Sequence, residues 1–168
     1  MPASLLALSL FVHLLATLIW VGGLLVTVLL VWPEMNKTLS AQPALYQMLA
    51  GLRKRFYPLS QLSLVALVAT GLFQMTASPF YEGVLNFDNL WSQILLLKHL
   101  VIVLMVISGV ILQYGTIPAL ERASILRIKE KDDKGQWERL RRREILLTWL
   151  NVGLGVLVLA FSAGLSAL

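Results

Sequence analysis

Residues 5–32, LLALSLFVHLLATLIWVGGLLVTVLLVW, contain no charged side chain, and only Ser9, His13, Thr17 and Thr27 interrupt the apolar run. About 20 such residues cross ~30 Å of hydrocarbon, so a helix here spans a bilayer. Nothing basic precedes the run, and it exceeds the ~7–15-residue apolar region of a cleaved signal peptide, so it is expected to stay in the mature protein. Three further runs have the same character: about 56–77, about 90–117 with Lys98 and His99 inside it, and about 145–167. Pro33, Pro58, Pro79 and Pro118 fall at or near the edges of these runs, where a missing N–H does least harm.

Composition agrees with that pattern. Of 168 residues, 58% are apolar and 14% charged, with a mean hydropathy of +0.77. A soluble domain is nearer half apolar and about a quarter charged. The expected fold is therefore all-α, a single integral-membrane four-helix bundle over residues 1–168. The absence of cysteine excludes disulfides, thiolate metal sites, iron–sulfur clusters, c-type haem attachment and a cysteine nucleophile. No phosphate-binding glycine loop, Ser-His-Asp set or metalloprotease H-E-x-x-H motif is present, which disfavours soluble-type hydrolysis.

The basic residues give an orientation. The 33–55 connection carries Lys37, Arg53, Lys54 and Arg55, and the 119–144 connection carries nine Lys and Arg, whereas residues 78–89 have only Glu82 and Asp88 as charges. The positive-inside rule makes the two basic connections cytoplasmic and places both termini and the 78–89 loop outside, on the periplasmic side of a bacterial inner membrane. Phe80, Tyr81, Phe87 and Trp91 would mark the outer interface, and Trp32, Phe56, Tyr57 and Trp137 the inner one. Residues 43–55 read as a short helix on the inner leaflet, and residues 119–144 as helical ends around a turn near 133–135. Interspersed acids argue against nucleic acid. Anionic membrane lipid is the expected contact, with a protein partner as the alternative.

His13 and His99 are the chain's two histidines, and each sits eight or nine residues below the outer start of its span. At 1.5 Å per residue both lie roughly 12 Å below the outer surface. Spans 1 and 3 run in the same direction, and parallel helices of a bundle can present two imidazoles across its core to the iron of a b-type haem. Thr17 and Trp20 continue the His13 face, and Gly22 and Gly23 reduce bulk one turn deeper, leaving room for a macrocycle. Copper is the other metal weighed, with Met75 and Met105 as thioethers suited to Cu(I). A purely structural pair of histidines is the third reading. Lys98 is the one formal charge well inside a span, and intramembrane charges are functional candidates. Either it offsets an anionic group such as haem propionates, with Glu82 or Asp88 as further candidate partners, or it snorkels to the headgroups. Thr148 and Asn151 are expected to hydrogen-bond between helices, and Gly153 and Gly155 to permit close approach.

His13 and His99, Gly23 and Gly109, and Pro33 and Pro118 recur at similar offsets. Two parallel hairpins related by an axis along the membrane normal would produce this recurrence.

The stretches HLLATLIWVGGLLV (13–26), RKRFYPLSQLSLVALVATGLFQ (53–74), LLLKHLVIVLMVISGV (95–110) and WLNVGLGVLVLA (149–160) together resemble the copper resistance protein D family of integral membrane proteins. The resemblance implies a four-helix unit associated with copper handling across the inner membrane. His13, Trp20, Gly23 and Lys98 also look like positions of the HemJ-type protoporphyrinogen oxidases, which are haem-associated. The chain departs from both patterns: Gln113-Tyr114 stands where small family members often carry His-Asp, and Val31-Trp32-Pro33-Glu34 replaces a Leu-Pro-Arg stretch. The leading expectation is haem b bound between His13 and His99 near the outer face, in an electron-transfer or redox module, with Lys98, Trp20, Thr17 and Gly23 around it. Copper transport is the alternative. A small subunit packing in a larger membrane complex, or a homo-oligomer, is the third.

Overall fold

The computed structural model describes residues 2–31, 33, 44–81, 83, 89–128 and 134–166. The interface residues Trp32 and Phe87, the acids Glu82 and Asp88, and Asp133 of the expected turn lie outside them. The described residues are almost entirely helical: α1 (Ala3–Val26) runs into a π-helical turn at Thr27–Val31, then α2 (Ala44–Ala77), α3 (Leu90–Val110), a second π turn at Ile111–Thr116, α4 (Ile117–Ile128) and α5 (Lys134–Ser166). α4 continues the line of α3, so that four rods are long and apolar enough to cross a membrane.

α3 begins where Asn89 accepts the Ser92 backbone N–H at 2.7 Å through its side chain, satisfying one of the orphan donors of a helix start. The large side chains Phe11, Leu14 and Leu18 of α1, Leu62 and Val65 of α2 and Leu146 of α5 point outward. Ser9, Ala16, Ser63, Ser92, Ser108 and Ala123 are buried instead. Lipid tails are as apolar as leucine, so association rests on close approach of small residues rather than on withdrawing large ones. The buried hydroxyls answer carbonyls of their own helices, as Ser63 does with Leu59 at 2.9 Å and Ser108 with Met105 at 3.1 Å.

α1 packs chiefly on α2, and α3 on α5. Each pair is one hairpin of the expected repeat. The two π turns extend the likeness to the backbone, because both occupy the last membrane turns of the first rod of a hairpin and both precede a proline, Pro33 or Pro118. Proline lacks an N–H and its ring crowds the carbonyl four residues back, so the hydrogen-bond ladder loses its α register. Thr116 helps the altered register by donating to the Ile111 carbonyl at 3.5 Å.

The helices run past the apolar segments. α2 starts at Ala44 and passes through Pro58 without a break, so residues 44–55 belong to the span's own helix rather than to a separate surface helix. Pro118 likewise lies inside a helical rod rather than at its end. α5 starts at Lys134, and its 33 residues extend about 50 Å, well beyond the ~30 Å of hydrocarbon. Much of the 119–144 connection is therefore a helical hairpin. Its core is Leu120, fully buried among Val31, Trp137, Leu140 and Ile145. Trp137 packs in this seam with the Arg141 guanidinium 5.3 Å from its ring centroid.

Candidate functional site

α1 and α2 are stitched by two polar contacts one helical turn apart. Gln74 Nε2 donates to the Ser9 carbonyl at 3.3 Å, and His13 Nδ1 lies 2.8 Å from Thr70 Oγ1. Thr70 Oγ1 is itself 2.6 Å from the Ala66 carbonyl, which can only accept. The hydroxyl proton is committed there, so Oγ1 receives a proton from His13 Nδ1. This fixes the tautomer of a neutral imidazole and leaves the lone pair on Nε2. Gly71 follows Thr70, and a Cβ there would lie 3.7 Å from His13 Cε1, so the absence of a side chain leaves space beside the ring. His99 repeats the arrangement with a simpler partner: its Nδ1 is 2.7 Å from the Leu95 carbonyl, so Nδ1 donates and Nε2 is again the lone-pair nitrogen. Metal-binding histidines commonly hold their second nitrogen to a carbonyl or other oxygen in this way.

Both histidines line one cavity of about 500 Å³, walled by α1, α2, α3 and α5. Ser78, Trp91 and Ser166 reach it, placing it towards the end of the bundle where α2 and α5 finish and α3 begins. Its floor is set where three helices meet: a Cβ on Gly155 of α5 would lie 3.5 Å from Met105 Cε of α3 and 3.6 Å from Val21 Cγ1 of α1. Thr17, Trp20 and Lys98 also line the cavity, and Thr17 Oγ1 donates to the His13 carbonyl at 2.8 Å.

Gly23 is elsewhere. A Cβ there would collide with the Phe56 ring, so the space at Gly23 is filled by this aromatic side chain and leaves no room for a macrocycle. Phe56 packs into the first hairpin at that point. Gly155 permits the expected close approach, whereas Gly153 has nothing within reach. Thr148 and Asn151 donate to carbonyls of their own helix, Glu144 at 2.8 Å and Leu147 at 3.0 Å, rather than across an interface.

Thr70 is the residue that sequence reasoning missed. A threonine in an apolar run carries no partner of its own, and only the register of α2 against α1 brings it to His13. A polar link between the two hairpins, the Tyr57–Tyr114 hydroxyl pair with edge-on rings 6.3 Å apart, uses the second π turn to present Tyr114 to α2.

Among the described residues no three His, Cys, Asp or Glu side chains gather into a metal site. The cavity offers two imidazole nitrogens and the thioethers of Met75 and Met105. Nitrogen and thioether donors suit Cu(I), and without carboxylates they suit neither calcium nor magnesium.

Four spanning rods around a pocket lined by imidazole and thioether side chains define a polytopic all-α membrane protein. The model of the copper resistance protein D family matches residues 50–165, more than half of the chain, and the protein belongs to that family. No curated protein and no solved structure matches it. The matched range includes Lys98, His99, Met75 and Met105 but leaves α1, and with it His13, outside.

Proposed function

We propose that this membrane protein handles copper as its cargo, taking Cu(I) into the cavity through His13 Nε2, with His99 and the thioether of Met75 as the further donors on offer. The observation that carries this reading is the Thr70 contact, which holds the His13 ring as a neutral Nε2 donor facing a cavity that also contains a second such imidazole. Family membership supports the same class of cargo. The test is anaerobic titration of purified protein with Cu(I) against a chromophoric chelator. Uptake of one equivalent that depends on His13 is expected, and failure to compete with the chelator at any ratio would overturn the proposal.

A second reading is a b-type haem held by His13 and His99 in an electron-transfer or redox module. The size of the cavity favours it, since about 500 Å³ is more than one ion occupies and falls in the roughly 300–1,000 Å³ range of small-molecule and cofactor sites. Two Nε2 lone pairs are the axial donors that such a group would require, and Lys98 the cation for its propionates. A reduced-minus-oxidised spectrum separates the two readings. Low-spin b-type bands favour haem, and a featureless spectrum with stoichiometric copper favours copper.

The cavity end of the bundle is assigned to the periplasmic side, with both termini there, from the position of the basic residues. A cysteine at Gly83 should then react with a membrane-impermeant thiol reagent in intact cells, and one at Gly135 only after permeabilisation. The reverse labelling would move the site to the cytoplasmic side.

A further inference from the structure

Among the described residues the cavity wall carries one formal charge and no carboxylate. Lys98 is half-buried, no Asp or Glu belongs to the lining, and among the described residues the ammonium has no hydrogen-bond or ion-pair partner. The two imidazoles carry no negative charge and do not neutralise it. A bare metal ion in the same cavity would add to the positive charge. An uncompensated ammonium in a low-dielectric wall favours an anionic occupant.

The shape of the cavity narrows the class. Along α3 the lining runs from Trp91 to Met105, a rise of about 21 Å at 1.5 Å per residue. Lys98 stands midway, and side chains on a helix lean towards its N-terminal end, here the end that carries Trp91. Below Lys98 and His99 the lining is mainly apolar, with Ile102, Met105 and Val21, and the Thr17 hydroxyl there is turned to the His13 carbonyl. A charged group with about 10 Å of mainly apolar wall beneath it matches a molecule with an acidic head joined to a hydrocarbon chain.

We propose that the cavity binds a long-chain carboxylate drawn from the bilayer, its head on the Lys98 ammonium and the first part of its chain against Ile102 and Met105. Charge complementarity and the apolar side chains beneath Lys98 carry this assignment, and it does not rest on the copper reading.

The experiment uses the whole protein in an uncharged maltoside detergent, with cis-parinaric acid, a fluorescent long-chain carboxylate, as the probe. Trp20 and Trp91 in the wall serve as energy donors. Saturable energy transfer is expected, displaced by oleate and not by oleyl alcohol, which has the same chain without the charge. Lys98→Met should weaken probe binding at least about tenfold, because a charge-assisted hydrogen bond is lost, while Lys98→Arg should stay within about threefold of the parent. Equal displacement by oleyl alcohol and oleate would overturn the proposal on the unaltered protein alone, whether or not the variants fold. Unchanged binding in a folded Lys98→Met would overturn it too. Protein stripped of copper should bind the probe, so the two readings fail separately.

Discussion

His13→Ala is expected to abolish stoichiometric Cu(I) uptake, and Thr70→Val to weaken it by about 10- to 100-fold with the imidazole still in place. The second effect follows from the hydrogen-bond chain. Thr70 Oγ1 gives its proton to the Ala66 carbonyl and takes one from His13 Nδ1. Valine has the shape of threonine without either function, so the ring is free to rotate or to exchange tautomer, and the donor atom facing the cavity is no longer fixed. Loss of such a supporting contact typically lowers metal affinity by about one to two decades. Thr70→Ser keeps the hydroxyl and should restore most of the affinity. That rescue separates a role in orienting His13 from a general packing defect. Chelator competition on all three variants, with circular dichroism to confirm the helices, makes the measurement. Parent-like copper affinity in Thr70→Val would remove Thr70 from the site, and in His13→Ala it would remove the site from the cavity.

The spans were legible because a bilayer imposes a long apolar run on each helix, and a single continuous apolar run of that length satisfies its own backbone as a helix. His13, His99 and Lys98 were legible through depth, since polar side chains at equal distance from the ends of parallel spans share a layer of the bundle, and Thr17 and Trp20 because they continue the His13 face of α1; all five line the cavity. What could not be read depends on register between helices. The pairing of Thr70 with His13 joins residues 57 positions apart, and nothing local in either run specifies it. The same holds for Phe56 filling the space at Gly23. Hydropathy also conceals the length of α2 and α5, since it reports the solvent around a helix and not the backbone hydrogen bonds that continue it past the membrane. The π turns leave no trace in side-chain period because each shifts a hydrogen-bond register over one turn. Pro33 and Pro118 were visible and were read as ends, yet Pro118 sits in a rod that continues as α4.

Gly23→Ala is expected to destabilise the protein by about 1–3 kcal/mol, the range for inserting a methyl into a packed site. A Cβ on Gly23 would lie 2.9 Å from Phe56 Cε1 and 3.2 Å from Cε2, closer than carbon atoms pack, so either the ring turns or α1 and α2 separate. The same two helices position His13 against Thr70, and any separation is transmitted to the cavity wall. Phe56→Leu removes part of the ring and should relieve the clash, so the double variant Gly23→Ala, Phe56→Leu is expected to be more stable than the sum of the single changes predicts, by at least about 0.5 kcal/mol of coupling. Gly153→Ala is the control: nothing lies within 4 Å of its Cβ position, so alanine there should be tolerated. Unfolding in mixed micelles measures all four proteins. If Gly23→Ala unfolds with the parent, or if the pair proves additive, the Phe56 ring does not set the spacing of the first hairpin. If the coupling appears, the distance between α1 and α2 is fixed by one glycine and one aromatic ring, and Thr70 is held within reach of His13 by apolar packing about three turns away along α1.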